Sequence, residues 1–178
     1  MIFTETRLKG AFIIDVKKLE DSRGFFGREW CKKEFEEHGL NPNIVQTNVS
    51  YSKVKGTLRG MHYQVAPYSE CKTIRCTAGA LYDVIVDIRK DSPTFKQWIG
   101  IELTAESYKM IYVPEGFAHG FITLEDHTAV NYMVTEYYAP GAEAGIKFDD
   151  PAFNIKWPFK PGIISERDNS LPFFVASP

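Results

Sequence analysis

The chain has 178 residues, 44% of them hydrophobic and 25% charged, enough for one domain spanning 1–178 with a sizeable core. A net charge of −2 provides no basic stripe for nucleic acid, and no apolar run approaches the roughly 20 residues of a membrane helix. The start MIFTETRLKGAFII lacks the layout of a signal peptide, and Cys31, Cys71 and Cys76 lack CxxC spacing, so a cytoplasmic protein without a disulfide framework or zinc site is expected.

The first predicted element is a helix in WCKKEFEEHGL, where Trp30, Phe35 and Leu40 are apolar, charges fill the gaps and Gly39 can end it. After it the pattern is strand and turn. GTLRGMHYQ opens an apolar stretch around His62. Cys71 follows in SECK, beside Lys72, which would favour a thiolate; a partly exposed small residue is the simpler reading. ALYDVIVDIR alternates Leu81, Asp83, Ile85 and Asp87 with Tyr82, Val84, Val86 and Ile88, and KDSPT then turns the chain. WIGIEL, KMIYVP, GFITL and AVNYMVTEYY are further predicted strands, with PEGFAHG as the break before GFITL. The proline-rich last thirty residues are expected to wrap the outside as irregular structure. Short strands, little helix and 14% aromatic residues point to an all-β sandwich or jelly roll, whose open mouth suits a small-molecule pocket.

Four histidines can be weighed singly. His38 and His127 lie in charged or turn segments and are expected at the surface. His62 in RGMHYQ and His119 in GFAHGF lie beside glycines within apolar stretches. A metal site would want a second histidine two residues from His62, where one strand presents both inward. That position is Gln64, a poor ligand, and adding His119 and Glu70 does not repair the set, so no metal is expected. Proton transfer suits the pattern better, because neutral imidazole is a base near pH 7. Such a base needs a carboxylate on its other nitrogen, with Asp83, Asp87 and Asp168 as candidates, and a donor opposite, for which Tyr132 is suited. Lys72 and Arg59 could stabilise an oxyanion or hold phosphates. Arg59 and His62 have opposite parity on a regular strand, so if both serve one pocket a bulge or bend is expected at Gly60.

DSRGFF, VQTNVSYS, GTLRGMHYQ, YDVIVDIRKDSPTF, VPEGFAHGF, YYAP, DDPAFNIKWP and SERD occur in this order along almost the whole chain. In these motifs and their spacing the chain resembles the dTDP-4-dehydrorhamnose 3,5-epimerase family. The resemblance implies a cupin-like jelly-roll β-barrel with short peripheral helices, a homodimer, no cofactor and no metal. It implies a nucleotide-linked 4-keto-6-deoxyhexose substrate, epimerised at C3 and C5 through an enolate. On this resemblance His62 is the base and Asp168 its partner, Tyr132 is the acid, and Lys72 stabilises the enolate oxygen. Arg23 and Arg59 bind the diphosphate, helped by Gln46 and Asn48; His119 lines the sugar pocket and Tyr138 stacks near the nucleobase.

Two segments depart from the family pattern. Gly27, Arg28, Glu29 and Trp30 stand where an apolar residue and a Glu are usual, which directs attention to Arg28 and Glu29 at the nucleotide end. Glu70 and Cys71 replace the usual Gln-Gly pair before Lys72. These changes leave CDP- or GDP-linked sugars, and inversion at one centre only, as alternatives. A 3,4-ketoisomerase and a non-catalytic sugar-nucleotide binding module are the remaining readings.

Overall fold

The computed structural model describes residues 1–175. In chain order its strands and helices are β1 (Ile2–Glu5), β2 (Phe12–Asp15), β3 (Leu19–Asp21), β4 (Gly24–Phe26), α1 (Lys32–Glu37), β5 (Gln46–Ser52), β6 (Thr57–Gln64), β7 (Lys72–Ala78), β8 (Ala80–Asp87), β9 (Trp98–Thr104), β10 (Met110–Val113), β11 (Phe117–Thr123), β12 (Thr128–Val134), β13 (Glu143–Gly145), β14 (Ile163–Ile164) and α2 (Glu166–Asn169). One sheet runs β1-β2-β10-β7-β12-β5, and the other runs β13-β6-β11-β8-β9 with β14 added beside β6. Every described pairing is antiparallel except β14 with β6. The fold is the expected all-β jelly roll.

Alternation along the strands builds three apolar layers. Between the sheets, Ile74, Ile111 and Val130 from one face pack with Leu81, Ile85 and Phe117 from the other. Outside the second sheet, Val84, Val86 and Met61 are covered by Phe153, Ile155, Trp157 and Phe174. That cover explains why β8 is apolar on both faces. Outside the first sheet, Met110 and Tyr112 meet Phe35 and Leu40. Burying the Phe35 ring contributes about 2–3 kcal/mol and pins the short helix. Gly39 ends that helix with φ +70°, a conformation glycine adopts freely.

Three boundaries differ from the sequence reading. β11 begins at Phe117, so His119 lies inside a strand rather than in the break before it. Its neighbours β6 and β8 supply the ladder partners that local glycines obscure. β12 ends at Val134, which puts Tyr138 in a loop. The C-terminal wrap is mostly irregular, but it contains β14 and α2, and α2 carries a buried Asp168. Residues 176–178 of that wrap lie outside the described part.

Candidate active site

The inner faces of the two sheets diverge into a cavity of about 500 Å³. On one wall, the register pairs Asn48 with Tyr132 and Gln46 with Val134 across β5 and β12, and Val134 with Lys72 across β12 and β7. Alternation therefore turns Gln46, Asn48, Lys72 and Tyr132 to the same side, and all four line the cavity. The opposite wall carries Arg59 and His62 from β6 and His119 from β11, with His62 and His119 direct cross-strand neighbours.

Arg59 and His62 share this wall because β6 is bulged. Arg59 pairs with Phe121 and His62 with His119, so Gly60 and Met61 together oppose the single residue Gly120. Gly60 has φ +130°, and a Cβ there would lie 2.5 Å from the Gly120 Cα and 2.9 Å from the His119 carbonyl oxygen. The expected irregularity at Gly60 is present, and only glycine fits it. The bulge also frees a backbone donor. The Gly60 N–H donates to Asp168 Oδ2 at 3.1 Å, while Asp168 Oδ1 lies 2.8 Å from His62 Nε2. The Asp168 N–H in turn donates to the Ser165 side chain that caps α2. A carboxylate 106 residues away in sequence is thus fixed at both oxygens.

Burial holds the His62 imidazole below its ordinary pKa; Asp168 opposes this, and Lys72 and Arg167 add to it. The ring is neutral at pH 7, with one nitrogen on Asp168 and the other left to take a proton. Burial raises the Tyr132 phenol above its ordinary pKa, Glu70 raises it further, and Arg59 works against both. The tyrosine is protonated and able to donate. A base and an acid therefore stand on opposite walls, with titrations pushed apart.

Each remaining carboxylate candidate serves another group. Asp83, fully buried, holds His119 Nε2 at 2.8 Å, a second His-Asp pair that the sequence reading did not anticipate. Asp87 binds Arg89 and the side chain of Thr94, tying down the KDSPT turn. The Gln64 amide donates to the Tyr68 and Tyr137 carbonyls and accepts from the Ala139 N–H. Gln46 accepts from the Tyr138 N–H at 2.7 Å, so two glutamines position the loop that brings Tyr138 to the rim. Burial pushes the Cys71 thiol up, against the thiolate that its lysine neighbour suggested. Arg59 donates to the Tyr51 carbonyl and the Ser52 hydroxyl, and its side chain borders the cavity.

Arg23, Arg28 and Glu29 are not brought to this cavity. Arg23 sits at the β3–β4 turn, 87% exposed and bound to Asp21. Arg28 is 3.6 Å from Glu34, and Glu29 pairs with Arg75. Among the described residues, no three His, Cys, Asp or Glu side chains are grouped to hold a metal, and no helix is long and apolar enough to cross a membrane.

The family model for dTDP-4-dehydrorhamnose 3,5-epimerase matches residues 5–175. The chain belongs to that family. A dTDP-4-dehydrorhamnose 3,5-epimerase of Salmonella typhimurium is 44% identical over 174 residues, 97% of this chain and 94% of the relative. The crystal structure of the Bacillus anthracis dTDP-4-dehydrorhamnose 3,5-epimerase with TDP and PPi bound superposes with a TM-score of 0.93 at 44% identity, covering 97% of this chain and 99% of that one. A Legionella pneumophila dTDP-6-deoxy-D-glucose-3,5-epimerase, in complex with dTDP-4-keto-L-rhamnose, superposes with a TM-score of 0.89 at 38% identity, covering 97% and 92%. The epimerase fold thus extends over essentially the whole chain, with the His62–Asp168 pair and Tyr132 inside it.

Proposed function

We propose that this chain is an isomerase that epimerises a dTDP-linked 4-keto-6-deoxyhexose at C3 and C5, in rhamnose-type deoxysugar biosynthesis. The observation that carries the reading is the neutral His62–Asp168 pair facing a protonated Tyr132 across one cavity. The 4-ketone acidifies the hydrogens on C3 and C5. His62 takes one, the electron pair moves onto the ketone oxygen as an enolate, and Lys72 stabilises that charge. Tyr132 then returns a proton from the other face, which inverts the centre. Arg59 holds the diphosphate, Asn48 and Gln46 help shape the approach, His119 lines the sugar pocket and Tyr138 stacks at the nucleobase. The bound ligands of the Bacillus and Legionella relatives support the choice of dTDP.

In this reading the enzyme is a cytoplasmic homodimer of one-domain protomers. Arg23 lies outside its own cavity, so it reaches a substrate from a partner protomer's side. The exposed Leu19 and Phe26 of the same hairpin, and Val49 on edge strand β5, support a surface that a second copy covers. The deciding experiment is solvent deuterium incorporation, followed by NMR, with a dTDP-4-keto-6-deoxyhexose. Label at both C3 and C5 is expected. Label at one centre reduces the activity to monoepimerisation, and migration of the keto group selects the ketoisomerase. Binding without label overturns catalysis.

A further inference from the structure

Glu70 enters the cavity from the loop before β7 and shares it with two groups that the reaction uses, Lys72 and Tyr132. Its Oε1 lies 3.1 Å from Lys72 Nζ, and the two side chains are only 12% and 11% exposed, so solvent screens the pair weakly. Tyr132 lines the same cavity, from the strand paired to β7. Taking the epimerase reading as its basis, we propose that Glu70 is a positioning residue for the acid half of the reaction: it anchors the Lys72 ammonium at the ketone oxygen and keeps Tyr132 in the form that donates a proton.

The electrostatics follow from the arrangement. A carboxylate beside a phenol opposes the phenolate, because the ionised form places two negative charges in one poorly screened space. The first sheet contributes no other acidic group to this cavity: the inward residues of β5 are Gln46, Asn48 and Ser50, and β7 contributes Lys72. The facing wall presents Arg59, His62 and His119, with Asp83 beneath His119. Asp168 and Arg167 enter from α2, and Glu143 from β13. Of these, Glu70 raises the proton affinity of Tyr132 and Arg59 lowers it. His62 responds instead to burial, Asp168, Lys72 and Arg167. Glu70 thus bears on the acid directly and on the base only through Lys72, which widens the pH range in which base and acid are both in working form.

The test compares wild type, Glu70→Gln and Glu70→Asp by two readouts. One is the pH dependence of kcat. The other is the titration of the Tyr132 ring in substrate-free protein, followed by ¹³C-tyrosine NMR and identified by the resonance missing in Tyr132→Phe. In Glu70→Gln, the Tyr132 titration and the alkaline limb of kcat should both move to lower pH while the acid limb stays. Relative to wild type, the loss should grow as the pH rises through the phenol range, at about 10 and above. Glu70→Asp keeps the charge and should restore the wild-type positions. An unchanged Tyr132 titration in Glu70→Gln, with activity reduced equally at all pH values, overturns the proposal. So does a Glu70→Asp variant that behaves as Glu70→Gln. Wild-type protein that exchanges no substrate hydrogen overturns the epimerase reading instead, and the NMR titration then decides by itself whether Glu70 governs Tyr132.

Discussion

A single carboxylate, Asp168, accepts from the Gly60 N–H and holds His62. Asp168→Asn should lower kcat by about a hundredfold, because an amide can present its N–H to the ring and fix the wrong tautomer. The pH profile should shift as well. Burial already lowers the His62 pKa and Asp168 opposes it. Without that charge the ring binds its proton more weakly, its neutral form persists further into acid, and the acid limb moves to lower pH. Measuring kcat across the acid range checks both expectations. This residue also marks where the sequence stops being legible. His62 and His119 stand out because each interrupts an apolar stretch, and Tyr132 because a phenol sits in a strand. Nothing local separates Asp168 from Asp83 or Asp87. All three are buried carboxylates with different partners: Asp83 meets His119 from the neighbouring strand, Asp87 meets Arg89 two residues on, and Asp168 meets His62 from α2, a placement only the folded chain reveals. The family's SERD motif supplied the choice that periodicity could not.

At the scale of the element, the β6 bulge connects fold to chemistry. Arg59 and His62 face one cavity only because Gly60 and Met61 together oppose one residue of β11. Gly60→Ala should destabilise the protein by about 2–4 kcal/mol, combining a positive φ with backbone overlap at Gly120. Chemical denaturation should show this as a lower midpoint with an unchanged slope. Activity should fall further than stability, since displacing the Gly60 N–H also releases Asp168. The bulge was legible in the sequence because parity is arithmetic: positions 59 and 62 cannot share a face of a regular strand. The strand around His119 was harder to see. Glycines at 116 and 120 read as a break, yet Gly120 is there to admit the Gly60 backbone, whose Cα lies 3.0 Å from a Cβ built at Gly120. A turn signal and a close-approach signal use the same residue type, and only the partner strand tells them apart.

At the scale of the whole molecule, Arg23 lies on a hairpin outside its own cavity, and the proposed dimer assigns it to the partner's. The sequence motif DSRGFF marks the residue without saying whether or where it meets a cavity, because any contact between copies would leave no periodicity in one chain. A complementation experiment separates the two geometries. Arg23→Glu should weaken diphosphate binding by about a hundredfold in kcat/KM, since it replaces a phosphate-binding cation with a repelling charge. His62→Ala should remove the base and lose at least about a hundredfold in rate. When the two variants are co-expressed in equal amounts, about half of the dimers are mixed, and each mixed dimer has one site with an intact His62 facing the partner's intact Arg23. Recovery to about a quarter of wild-type activity is therefore expected for a closed two-fold dimer that shares its hairpins. If each hairpin serves its own cavity, no protomer in the mixture carries both residues, and activity stays at the level of the single variants. Sedimentation of the mixture confirms that dimers have formed, so persistent inactivity in dimeric protein would confine Arg23 to its own chain or remove it from the site.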